Sequence, residues 1–240
     1  MAPRVPRIVD LTHPFDEKTV YWSAKEKFQR TQLAFGRNEV GIWNANFRFC
    51  AGEHGGTHMD APLHFAEAKR SIADIPITQL IGPGVKISIQ TKCAADCDYR
   101  LQPEDILAWE ARAGEIPKGA IVLIQTGWEK YWGDRAAYLG AANVDGEEDF
   151  HFPGIGQEAA RLLARDRQIA MVGLDTASLD HGPSRDFPAH QILCGAEIPS
   201  IENVARLDEI PETGFLVLAL PMKIAGGSGA PCRIVALLDS

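Results

Sequence analysis

Nowhere in its 240 residues does the sequence hold an apolar run approaching the roughly 20 residues that a membrane-crossing helix needs. The start, Met-Ala-Pro-Arg-Val-Pro-Arg, has no apolar signal core. These absences set the expectation of a cytoplasmic protein without a membrane partner. Cysteine is scarce: Cys50, Cys93, Cys97, Cys194 and Cys232 are odd in number and scattered, which fits reduced, mostly buried thiols better than a disulfide framework. Cys93 and Cys97 are four residues apart, but no second cysteine pair completes a zinc site. Positive charge is also short. Lys and Arg number 24 against 32 Asp and Glu, and the net charge of -8 argues against a nucleic-acid partner, which requires a basic patch. Nucleotide chemistry is disfavoured, because neither a Walker loop nor a Gly-x-Gly-x-x-Gly follows a predicted strand. No Gly-x-Ser-x-Gly elbow appears either, so a serine nucleophile is disfavoured.

What is present is an ordinary globular composition, 45% hydrophobic and 23% charged, at a length suited to one domain over residues 1–240. Apolar, β-branched runs predict strands at Arg7 to Leu11, Val85 to Ile89, Ile121 to Gln125, Ile169 to Leu174, Phe215 to Leu220 and Arg233 to Leu238. Most are continuous apolar stretches, which predicts a sheet covered on both faces. Helices are predicted over Pro103 to Arg112, Ile155 to Arg165 and Pro188 to Cys194, from their proline starts, acidic first turn, amphipathic period and closing glycines. Phe35 to Ala61, Gly127 to Gly154 and Asp175 to Pro188 read as long loops, and long loops in a compact domain are usually functional.

One segment concentrates chemistry: His54-Gly-Gly-Thr-His58-Met-Asp60-Ala-Pro-Leu-His64. Two imidazoles and a carboxylate, from His54, His58 and Asp60, are ligands for a zinc- or manganese-like ion, with positions left for water and substrate. Gly55, Gly56 and Pro62 speak against a helix here. In an extended strand His54 and His58 would stand about 13 Å apart, so the glycines are expected to bend the chain. His64 could stand beside the ion as an acid or base without being a ligand.

This segment resembles the signature His-x-Gly-Thr-His-x-Asp-x-Pro-x-His of the cyclase family of metal-dependent hydrolases, which includes bacterial kynurenine formamidases, isatin hydrolases and dienelactone hydrolases. Asp10-Leu11-Thr12-His13, Gln125-Thr126-Gly127-Trp128, Gly173-Leu174-Asp175-Thr176 and Leu220-Pro221-Met222-Lys223 also look like family landmarks. The resemblance implies that His54, His58 and Asp60 bind the metal, that His190 and Glu202 complete its site, and that His64 is the catalytic base. Without it, Glu202 would read as a solvated charge and His190 as a helix-surface residue. It also implies an α/β fold, a mixed-sheet, barrel-like swivelling β/β/α domain with helices on the outside, and a homodimer or dimer of dimers.

The expected cofactor is Mn2+ or Zn2+, one or two ions per subunit, and the expected partner is a small aromatic carbonyl substrate. Ala51-Gly52-Glu53-His54-Gly55-Gly56 resembles the isatin hydrolase branch, so opening of a cyclic amide such as isatin is the first expectation. Hydrolysis of N-formylkynurenine or of a lactone is the alternative, and a non-catalytic metal or ligand binder is the reading from another class. Trp22 and Trp128 are candidates to stack on the substrate, with core packing an even rival, while Trp43 and Trp132 read as core. His13 is expected to hydrogen-bond the motif loop, and His151 and His181 read as loop-surface residues.

Overall fold

The computed structural model describes residues 6–141 and 149–238. In chain order these form β1 (Arg7–Asp10), β2 (Gln29–Arg37), β3 (Trp43–Cys50), β4 (His58–Asp60), β5 (Ile81–Ser88), α1 (Gln90–Ala95), β6 (Arg100–Leu101), α2 (Pro103–Ala113) and β7 (Ile121–Gln125). There follow α3 (Arg135–Leu139), β8 (Gly154–Ile155), α4 (Gln157–Arg161), β9 (Met171–Leu174), α5 (Pro188–Gly195), β10 (Ser200–Glu202), β11 (Phe215–Pro221) and β12 (Gly229–Leu238). The strands β12-β11-β5-β7-β9-β10-β4 lie side by side, and β4 returns to pair with β12. The ring is therefore a closed seven-stranded barrel, with β1 added alongside β12. Its sheet is mixed: β5, β7, β9 and β10 run parallel, and the β11, β12 and β4 pairings are antiparallel.

The strand β7 shows why a continuous apolar run was needed. Ile121 and Leu123 join the barrel interior with Val217, Ala219 and Ile234. Their neighbours Val122 and Ile124 point the other way, onto Ile106 and Trp109 of α2, Ala159 of α4 and Leu193 of α5. Helices thus cover the parallel side of the barrel, as the βαβ crossovers require. The antiparallel side differs from the expectation of two covered faces. Along β11 and β12 buried residues alternate with exposed or half-buried ones, because hairpin-type connections supply no helix to cover the outer face.

Three sequence expectations need correction. The stretch from Phe35 to Ala61 is no single loop: it holds the end of the hairpin β2–β3, all of β3, and β4. The alternation Trp43-Asn-Ala-Asn-Phe-Arg-Phe was the signal. The helix expected over Ile155 to Arg165 is shorter: Ile155 pairs with Leu101 in β8–β6, and a π-turn over Leu162–Asp166 replaces the last α-helical turn. The loop expected over Gly127 to Gly154 contains α3, and its residues 142–148 lie outside the described residues.

Candidate metal centre

Strand alternation assembles the first half of the site. His58 and Asp60 are two residues apart on β4 and so share a face. The β10–β4 register sets Glu202 opposite His58 and Ser200 opposite Asp60. A 3-10 turn, Pro62–His64, starts on the proline and brings His64 back toward the strand. The bend expected from the glycines is present. Gly56 has φ of 59°, a conformation that favours glycine, and the rings of His54 and His58 stand 5.4 Å apart. Gly55 serves by close approach instead: a Cβ there would lie 2.1 Å from the Tyr21 ring. Gly55→Ala is accordingly expected to cost about 1–3 kcal/mol of stability through overpacking, read as a lower midpoint in denaturant.

Helix α5 supplies the second half. Asp180 caps its start, accepting from the backbone N–H of Ala189 at 2.9 Å and of His190 at 3.1 Å. The same carboxylate accepts from His190 Nδ1 at 2.7 Å. That fixes the imidazole with Nε2 directed inward, 3.2 Å from Glu202 Oε1 and 3.6 Å from Asp60 Oδ2. His58 is held in the same sense: Nδ1 donates to the Gly56 carbonyl at 3.0 Å, leaving Nε2 3.2 Å from Asp60 Oδ1 and 3.5 Å from Glu202 Oε2. Orienting partners of this kind are the usual companions of metal-binding imidazoles. Asp180→Ala is expected to weaken metal affinity about 10–100-fold by freeing His190, measured by titration against a competing chelator.

On the far side, Ser228 donates its hydroxyl to Glu53 at 2.8 Å and stands 2.8 Å from His54 Nε2. The imidazole therefore donates from Nε2, which leaves His54 Nδ1 and Asp60 Oδ1, 2.7 Å apart, to share a positive charge between them. A proton or a metal ion meets that need. His64 stacks on His54 with ring centroids 3.8 Å apart. Ligand atoms of His58, Asp60 and Glu202 lie within 4.8 Å of one another, and so do those of His54, Asp60 and His64. Asp60 belongs to both groups.

The electrostatics call for a cation. Asp60, His58 and His190 are all buried, and Glu202 is 5% exposed. Burial works against ionisation of Asp60, but the hydrogen bonds and charge of His190, His54 and His58 hold its carboxyl well below the usual range. Burial and the Asp60 charge push Glu202 upward. Burial pulls His58 and His190 down, yet the surrounding carboxylates prevail, holding His58 up at about 9 and His190 well above its ordinary value. Among the donor atoms of the cluster, His58 Nε2 is enclosed and has no hydrogen-bond partner among the described residues. A nitrogen lone pair aimed at two carboxylates fits a metal ligand, and the all-nitrogen-and-oxygen donor set suits a borderline or hard divalent ion.

His54, His58, His64, His190 and Glu202 line a cavity of about 410 Å³ whose other walls include Val20, Tyr21, Trp22, Phe65 and Phe187, with Asp60 buried behind them. Trp22 is thus in the cavity wall, packed edge-on against Phe150 with ring centroids 4.9 Å apart. Trp128 is not among the lining residues. It is buried, and its indole N–H donates to the Tyr138 carbonyl at 2.7 Å, so its stacking role is replaced by a packing one. Trp43, expected in the core, is 55% exposed on the hairpin. His190 and Glu202 are buried in the centre, contrary to what the residues alone suggest. His13 meets the motif through its backbone, donating to Thr57 Oγ1 at 3.0 Å, while its ring stacks on Trp132. Neither His151 nor His181 lines the cavity. Asp180, Ser228 and Glu53 were missed; each acts through a fold contact that no local pattern announces.

A closed mixed barrel with convergent imidazoles and carboxylates at the floor of an aromatic cavity defines a metal-dependent hydrolase, and its cofactor is a divalent metal ion. The family model described as "Putative cyclase" matches residues 9–181, and the chain belongs to this family. It is 36% identical over 195 residues to the isatin hydrolase of Roseibium aggregatum, covering 78% of this chain and 72% of that protein. Identity to the kynurenine formamidase of Polaromonas naphthalenivorans is 28% over 234 residues, covering 98% and 92%. The solved structure of isatin hydrolase A from Ralstonia solanacearum superposes with a TM-score of 0.88 at 31% identity, covering 97% of this chain and 92% of that one.

Proposed function

We propose that the protein hydrolyses the C–N bond of a flat aromatic amide, with the cyclic amide isatin as its substrate. The observation that carries this reading is the donor cluster of His58, Asp60 and Glu202 on the floor of a cavity walled by Trp22, Phe65 and Phe187. Likeness to isatin hydrolases supports the choice of substrate. His54, His58, Asp60, His190 and Glu202 hold the metal, Mn2+ or Zn2+, and the two donor groups sharing Asp60 make room for one ion or two. When bound, the ion lowers the pKa of water toward 7 and polarises the substrate carbonyl.

The remaining chemistry belongs to the chain. Burial, with the neighbouring imidazoles adding to it against the Asp60 charge, brings His64 down to about 4, so its ring is neutral near pH 7 and keeps an unprotonated nitrogen. His64 takes that proton from the attacking water and returns it to the departing nitrogen as the C–N bond breaks. Trp22 offers an indole face to the planar substrate. No serine or cysteine nucleophile is needed, and no covalent acyl-enzyme is required.

N-formylkynurenine is the second reading, favoured by the match to a kynurenine formamidase over 98% of the chain. Metal-reconstituted protein offered isatin, N-formylkynurenine and an aromatic lactone is expected to turn over isatin fastest. Bound metal with no turnover of any of the three would instead identify a binding protein. The protein acts as a homodimer: exposed Leu33, Phe35, Val40, Ile42, Trp43 and Phe49 on the β2–β3 hairpin form an apolar surface of the kind a second subunit covers. A cytoplasmic location is supported by five free cysteines and by the absence, among the described residues, of any helix long and apolar enough to cross a membrane.

A further inference from the structure

The two cysteines that the sequence sets four residues apart separate in the structure: Cys93 is buried and Cys97 is exposed. Cys97 meets different company. It follows α1, beside Asp98, and the segment entering β8 brings His151 to both. Ligand atoms of Cys97, Asp98 and His151 all lie within 4.8 Å of one another, and His151 Nδ1 stands 2.7 Å from Asp98 Oδ2. The other carboxylate oxygen, Asp98 Oδ1, is enclosed and has no hydrogen-bond partner among the described residues. An enclosed carboxylate oxygen without a partner is unfavourable, and a cation beside it would offset that cost.

We propose that Cys97, Asp98 and His151 form a second metal site, for a zinc-class ion, separate from the catalytic cavity. Thiolate, imidazole and carboxylate together select a borderline-soft ion over the magnesium and calcium class, which takes oxygen ligands. Bonds of about 2.0–2.3 Å in a tetrahedral site put donors roughly 3.4 Å apart, so His151 Nδ1 and Asp98 Oδ2, now 2.7 Å apart, part slightly to admit an ion between them. Exposed Cys97 and the half-exposed ring of His151 can make that adjustment by rotamer changes. The fourth position remains for water. The ion ties the loop after α1 to the segment before β8, where Phe150 and Phe152 pack edge-on against Trp22 of the cavity wall. The site is thus a clamp behind the cavity, and none of its ligands lines the cavity itself.

Cobalt is the probe, because thiolate-to-Co2+ charge transfer absorbs in the near ultraviolet and the ligands assigned to the cavity contain no sulfur. The full chain titrated with Co2+ is expected to gain this absorption. Cys97→Ser should abolish it, His151→Ala and Asp98→Asn should weaken or abolish it, and Cys50→Ser should leave it unchanged. Absence of the band in the parent protein, or its survival in Cys97→Ser, would overturn the site. Isatin turnover is measured on the same samples, so failure of this site and failure of the hydrolase reading are told apart.

Discussion

Asp60→Asn is expected to strip the metal from the protein and to lower turnover by about a thousandfold. The expectation follows from the carboxylate's position: Oδ1 faces His54 at 2.7 Å and His58 at 3.2 Å, and Oδ2 faces His190 at 3.6 Å. No other side chain belongs to both donor groups. The substitution keeps the shape of a fully buried side chain and removes its negative charge, so it tests charge without opening a cavity. A metal's stabilisation of developing charge is worth several kcal/mol, and about 4 kcal/mol at 1.36 per decade gives the thousandfold loss. Elemental analysis of purified Asp60→Asn, together with its kcat on isatin, checks both halves. Full metal content with turnover within tenfold of the parent would place the centre elsewhere. Chelation of the parent protein should reproduce the loss, and added Mn2+ or Zn2+ should reverse it.

The parts of this site that could be read in the sequence are those whose partners are local. His54, His58, Asp60 and His64 fall within eleven residues, and two glycines and a proline in the same stretch foretell the bend that gathers them. The strands of the parallel side were equally plain, because β7 and its neighbours are buried on both faces and must be apolar throughout. By contrast, β4 and β10 are three residues long and made partly of His, Asp, Ser and Glu. Such strands carry no hydrophobic period, although they hold most of the centre. His190 and Glu202 could be placed only by likeness to a family, since nothing near them in sequence says they face Asp60 across a barrel. The role of Asp180 depends on a helix start nine residues away, and an indole such as Trp128 looks the same in sequence whether it walls a cavity or fills a core.

The division of labour between His64 and its neighbours gives the second large effect. His64→Ala is expected to retain the metal in full and to lose about 10²–10⁴ of turnover, the span that positioned acid-base groups contribute. In the proposed assignment five other groups, His54, His58, Asp60, His190 and Glu202, remain to hold the ion, and among the described residues none of them takes a hydrogen bond from the His64 ring. The ring instead stacks on His54, with Phe65 edge-on at 4.6 Å. It is drawn down to about 4, so it is neutral throughout the neutral range. Because its nitrogen also comes within 4.8 Å of the donor atoms of His54 and Asp60, metal content and turnover must be measured together. Loss of one equivalent of metal along with the ring would make His64 a ligand. Intact metal with low kcat, partly restored by free imidazole entering the space the side chain leaves, would make it the base. An unchanged kcat would remove it from the chemistry altogether and direct the proton to another acceptor in the cavity.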